Sequence, residues 1–197
     1  MLFRLLCAHL TSPLRGLLTL HALQSYRAAQ EMLRQTNPVS VDIASAQIQL
    51  ASERAGVRED IIAGCVARWM EQEPLPLLAK SMRKGTTELL HEAKERGLRL
   101  AACSDYPAKQ KLAAMGIAEF FDVVVTAQDP EVQRLKPDPR GLEITLQRLA
   151  VRHNEAIYIG DRADVDGEAA TRAGIRHFIL KSGQRLSELS KLLIQPS

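Results

Sequence analysis

The chain has 197 residues, enough for one large domain or two small ones. Hydrophobic residues make up 46% and charged residues 25%, which suits a soluble protein with a real core. The net charge of +3, with no long basic run, is too mild to imply a nucleic-acid partner.

Three well-separated cysteines, Cys7, Cys65 and Cys103, form no CxxC pair, which argues against a disulfide framework or a zinc cluster. They read as small apolar residues in a reducing compartment, and a cytoplasmic location is expected. The opening stretch is apolar but short, and Arg4 and His9 interrupt it. It fits neither a signal peptide nor a membrane span of about 20 apolar residues. Its Leu2, Leu5, Leu6 and His9 fall on one helical stripe, and no β-branched residue occurs in 1–10.

Residues up to about 80 read as successive helices. Ser12-Pro13 is a helix start, and leucines at helical spacing carry that helix to about Arg34, before Asn37-Pro38. A second helix is predicted over 41–54, with Gly56 as its C-terminal cap. A third begins near Arg58, with Ile61, Ile62, Cys65, Val66 and Trp69 on one stripe. Residues 71–76 (EQEPLP) read as a linker.

The texture then changes. Helices are predicted over 85–96, 108–115, 139–151, 166–173 and 187–193. Short apolar runs of strand length lie between them at 98–103, 121–126, 156–159 and 177–180. Such alternation implies an α/β layer of parallel strands with helices on both faces. The predicted organisation is a helical region, 1–80, followed by an α/β core, 81–197.

Ligands in such layers bind beyond the C-terminal ends of the strands. The residues following the strands are Ser104-Asp105-Tyr106-Pro107 and Gly160-Asp161-Arg162-Ala163-Asp164-Val165-Asp166, with Leu135-Lys136-Pro137-Asp138-Pro139 between them. A hydroxyl with adjacent backbone N–H groups can hold phosphoryl oxygens. A lysine can neutralise charge that develops in transfer, and carboxylates can hold a hard cation such as Mg²⁺. Each piece alone reads as a turn, a solvated lysine or a helix cap. Together, each at its place in the alternation, they point to phosphate chemistry.

The stretch 85–180 resembles the haloacid dehalogenase-like (HAD-like) hydrolase superfamily, phosphatase type. Ser104 is similar to the second motif of that family, with Asp105 standing where Asn is frequent. Lys136 in LKPDP is similar to the third motif and GDRADVD to the fourth. The resemblance implies a Rossmann-like core, and it makes the helices before it a cap. It further implies Ser104, Asp105 and Lys136 at the phosphoryl group, with Lys136 catalytic, and Mg²⁺ held by Asp161 and Asp166, with Asp164 as the alternative second acid. The implied partner is a small phosphorylated substrate, with no nucleic acid and no membrane.

The first motif is the departure. The family nucleophile is the first Asp of an Asp-x-Asp pair that follows a central strand, and no Asp-x-Asp precedes Ser104. Glu31, Asp42, Glu53, Glu59 and Asp60 are the early acids, and all sit in helical contexts. An aspartyl-phosphate intermediate therefore has no carboxylate to form on. The expected consequences are an incomplete Mg²⁺ site, an inactive or N-terminally truncated enzyme, and a gap between the strands leading to Ser104 and Asp161. Two other readings stand beside this one. One is a non-catalytic HAD-like binding or regulatory protein. The other is a DNA-binding helix-turn-helix in 41–70, on the spacing of Ala51, Gly56, Val57 and Ile62.

Overall fold

The computed structural model describes residues 13–39, 42–184, 186 and 189. The helix expected within 1–10 lies outside them, as does all but Leu189 of the one expected over 187–193. The chain divides into two compact units, Met1–Leu77 and Leu78–Ser197.

The first unit is helical. Helix α1 (Pro13–Thr36) is followed by α2 (Ile43–Ala55) and α3 (Glu59–Val66). Asp42 caps α2 by accepting the Ala44 N–H at 3.3 Å and the Ser45 hydroxyl at 2.5 Å. Gly56 ends α2 at φ +62°, the left-handed conformation that a Cβ disfavours. The unit closes on Leu23, Tyr26, Ala29 and Leu33 of α1, Ala51 of α2, and Ile62 and Val66 of α3. Gln47 lies in this apolar layer without an orphaned donor, because its side-chain N–H bonds the Tyr26 carbonyl at 3.1 Å.

The expected linker at 71–76 is corrected. The helical chain continues from α3 through a π-turn, Ala67–Gln72, and restarts as α4 (Leu75–Ser81). Pro74 and Pro76 do not block it, since they sit just before and within the first turn, where a missing N–H leaves no intrahelical bond unmade.

The second unit alternates helix and strand. Its elements are α5 (Thr86–Glu95), β1 (Ala101–Ser104), α6 (Lys109–Ala114), β2 (Val123–Thr126), α7 (Arg140–Leu149), β3 (Ile157–Gly160), α8 (Glu168–Arg172) and β4 (Arg176–Ile179). All strand pairing is parallel, as the alternation implied. It forms two two-stranded sheets, β1 with β2 and β3 with β4, and β1 and β3 do not pair with each other among the described residues. The register is Ala101 opposite Val123 in one and Ile157 opposite Arg176 in the other.

Apolar layers cover both faces. Ala108, Leu112, Ile117 and Phe120 bury against Leu90, Leu100, Ala102 and Val124. On the other face Leu142, Ala169, Ala170 and Ile175 pack with Cys103 and Tyr158. One layer thus touches both β1 and β3, so the two sheets share a core.

Candidate functional site

The C-terminal ends of β1 and β3 meet around a largely buried lysine. Lys136 lies on the long connection from β2 to α7, which is anchored by Val132 and Leu135, both buried. The loop after β1 fixes its backbone: Asp105 Oδ1 accepts the Lys136 N–H at 3.1 Å, and Gln128 donates to the Asp105 carbonyl at 2.9 Å. The Lys136 ammonium then reaches Asp166 Oδ1 at 2.6 Å and the Tyr158 hydroxyl at 3.0 Å. Tyr158 itself donates to Asp166 Oδ1 at 3.0 Å. These three groups form a closed triangle between β3 and the turn that follows it.

Asp166 organises that turn. Its second oxygen, Oδ2, accepts the backbone N–H groups of Asp161 at 3.1 Å and Arg162 at 3.0 Å. A single carboxylate therefore ties the end of β3 to Lys136. The approach requires a glycine at 160, because a Cβ there would lie 2.3 Å from the Asp166 Cβ. The residues 163–167 form a π-turn that delivers Asp166 inward and leaves Asp164 outside, paired with Arg162 at 2.7 Å.

Charge explains the cohesion of the cluster. Lys136 and Asp166 side chains are only 11% and 8% exposed, so both charges are largely desolvated. Burial opposes the Lys136 charge, but the Tyr158 oxygen and the Asp105 and Asp166 carboxylates outweigh it and hold the pKa above its ordinary value. Burial would raise Asp166, yet the ammonium and the two N–H donors bring it below the usual carboxylate range. Burial pushes the Tyr158 hydroxyl up, keeping it a neutral donor. Burial also pushes the Cys103 thiol up to about 11, so it is a packing residue rather than a thiolate.

The anticipated residues fall as follows. Lys136, Asp166 and the Asp161 backbone are joined directly, and Asp105 is joined through the Lys136 N–H. Ser104 ends β1 one residue before Asp105, and its hydroxyl accepts the Tyr106 N–H at 3.1 Å, turning the chain. The Asp161 side chain is exposed and makes no bond among the described residues. Tyr158 was not anticipated. In the sequence it reads as one more apolar strand residue, and only the strand alternation that puts it on the same face as Gly160 hints at the site.

Mg²⁺ prefers about six oxygen ligands. Asp166 already accepts two N–H groups, an ammonium and a hydroxyl, which leaves Asp161 as the one uncommitted carboxylate of the turn. Among the described residues no group of three or more His, Cys, Asp or Glu could hold a metal. The donors in place among the described residues therefore do not fit a Mg²⁺ ion.

A parallel α/β unit with a lysine, a serine and acidic turns at its strand ends has the arrangement of a Rossmann-like protein. The model of the haloacid dehalogenase-like hydrolase family matches residues 23–180, and the chain belongs to that family. It is 29% identical over 165 residues to a glyceraldehyde 3-phosphate phosphatase of Methanopyrus kandleri, covering 81% of this chain and 66% of that protein. It is 32% identical over 123 residues to a phosphoglycolate phosphatase of Rhodospirillum rubrum, covering 60% of this chain and 49% of that one. The chain thus spans 66% and 49% of the length of these two relatives. Among solved structures, a HAD phosphatase from Thermococcus onnurineus superposes with a TM-score of 0.56 at 22% identity, covering 89% of this chain and 92% of that one. That likeness shows the fold. No helix among the described residues is long and apolar enough to cross a membrane.

Proposed function

We propose that this chain is the phosphate-holding body of a HAD-like phosphatase for a small phosphomonoester, and that as it stands it binds the phosphoryl group without cleaving the ester. The observation that carries the reading is the seat of Lys136, an ammonium held on Asp166 and Tyr158 where the ends of β1 and β3 meet. The names of these relatives support a small phosphate ester as the ligand class.

Each residue has a physical role in this proposal. Lys136 supplies fixed positive charge in a desolvated place, where it acts more strongly than in water. The Ser104 hydroxyl and the neighbouring N–H groups contact phosphoryl oxygens. Asp166 and Tyr158 hold Lys136 in place, and Asp166 also holds the Asp161 and Arg162 N–H groups at the end of β3. The helical region 1–80 serves as the cap. Hydrolysis in the family runs through attack of an aspartate oxygen on phosphorus with departure of the ester oxygen. No Asp-x-Asp precedes Ser104, so this chain has no carboxylate in place to begin that step.

Titration with orthophosphate by calorimetry tests the proposal. A charge-assisted hydrogen bond contributes about 1.5–3 kcal/mol, so Lys136→Ala should weaken binding roughly ten- to hundred-fold. Ser104→Ala, which breaks no buried ion pair, should weaken it several-fold while leaving the melting temperature nearly unchanged. Unchanged affinity in both variants would refute the reading.

A further inference from the structure

Helix α1 is apolar on two faces over its first turns. One face, with Thr19, Ala22, Leu23 and Tyr26, is buried in the helical unit. On the other, Leu14, Leu17 and Leu18 are 76%, 65% and 55% exposed. With Leu20, His21 and Gln24 they line an open hollow of about 530 Å³. Beyond the hollow this outer face turns polar, with Gln24, Arg27 and Glu31. Other large exposed apolar side chains among the described residues, such as Val39, Ile61, Leu98 and Ile159, stand singly. A surface helix ordinarily keeps its outer face polar, and one that is apolar all round is a covered helix.

The sequence holds a match to this face. Leu14, Leu17, Leu18 and His21 repeat, residue for residue and at the same spacing, Leu2, Leu5, Leu6 and His9. On a helix each set forms one stripe at i, i+3, i+4 and i+7, and Arg4 falls on the side opposite the first stripe. Pro13 opens α1, and the residue before a proline is biased to extended backbone. The two stripes are therefore separated by a turn in the chain, not joined in one straight helix. Antiparallel helices are commonly linked by loops of about 2–5 residues, and 10–12 supply such a link.

We propose that the outer leucine face of α1 is the docking surface for residues 1–10 of the same chain, which pack on it as an antiparallel helix. In that arrangement Leu6 lies against Leu17, Leu5 against Leu18 and Leu2 beside His21, while Arg4 points to solvent. A helix of ten residues is about 15 Å long and matches the stretch of α1 from Leu14 to Gln24 that lines the hollow. The size of the face favours a tethered occupant. Three leucines make a contact well below the roughly 1,000 Å² that a specific interface between separate chains needs. A segment joined through 10–12 is held at an effective concentration on the order of millimolar, where a small contact suffices. The inference does not depend on Lys136 binding phosphate.

Leucine-methyl NMR on the full chain tests it. Nuclear Overhauser contacts are expected between Leu6 and Leu17 and between Leu5 and Leu18, unchanged on dilution. Leu6→Lys should abolish them and raise the fluorescence of an apolar dye, anilinonaphthalene sulfonate, several-fold as the face is uncovered. Adding Leu17→Lys and Leu18→Lys to that variant should cancel the rise, because the uncovered face is then no longer apolar. Arg4→Gln, on the other side of the stripe, should change neither reading. Three results would overturn the proposal. Contacts that appear only between differently labelled copies would make the occupant a second chain. Contacts of Leu17 and Leu18 with leucines of 78–197 in place of Leu5 and Leu6 would make it the α/β unit. Absence of any such contact, with dye binding by the wild type equal to that of Leu6→Lys, would mean that the face stays open.

Discussion

At the scale of residues, the Lys136–Asp166 pair is where energetics and function meet. Breaking one partner of a buried pair leaves an uncompensated charge, which costs about 3–5 kcal/mol. We expect Lys136→Met to destabilise the fold by that order. The double variant Lys136→Met with Asp166→Asn should cost clearly less than the two single changes summed, as urea unfolding would show. The pair also sets an acid limit. An unfolded Asp titrates near pH 3.9, whereas Asp166 in the fold is held down to about 2. The unfolded state takes up that proton first, so this contribution is present above about pH 4 and is lost as the pH falls towards 2. Stability measured across that window should fall in the wild type, and the part due to this pair should vanish in the double variant. Lys136 and Asp166 were both legible in the sequence, because LKPDP and GDRADVD mark them by type and position. Tyr158 was not, since its hydroxyl finds its partners only across 22 residues to Lys136 and through a turn to Asp166.

At the scale of elements, local chemistry was enough to read most of the helices. Gly56 announced the end of α2, and the structure places the boundary beside it at left-handed φ, whereas Asp42, inside the predicted span 41–54, proves to be the cap before the helix. Asp42→Ala should lower stability by about 0.5–2 kcal/mol, the usual worth of such a cap, with the loss visible in thermal unfolding. The stretch 71–76 misled because two prolines close together suggest a break, and only the position of each in the turn shows that the helix tolerates them. The strands were legible as apolar runs, but their pairing was not. Which strands pair depends on contacts distant in sequence; the missing Asp-x-Asp pointed to a gap between the strands leading to Ser104 and Asp161, but not to the partner of each strand. Gly160 is the sharpest link between element and site. Gly160→Ala forces a Cβ onto Asp166, and overpacking of this kind costs about 1–3 kcal/mol. It should also displace Asp166 and so weaken phosphate binding together with stability. An unchanged phosphate affinity would separate the turn from the site.

At the scale of the whole molecule, the chain joins a helical unit to an α/β unit whose strand ends gather Ser104, Asp105, Lys136, Asp161 and Asp166. The family was legible from the order and spacing of its motifs, and the family match over 23–180 agrees with it. What the sequence left unread is the substrate, because the helical region shows no chemistry specific to one ligand. The central claim is that the phosphate-binding elements are present without a nucleophile. Hydrolysis of 4-nitrophenyl phosphate by the chain of 197 residues, with excess Mg²⁺, tests this most directly. The account predicts no release of nitrophenol above the protein-free rate. Sustained turnover that is abolished by Asp161→Asn would contradict it and would require a nucleophile elsewhere in the chain.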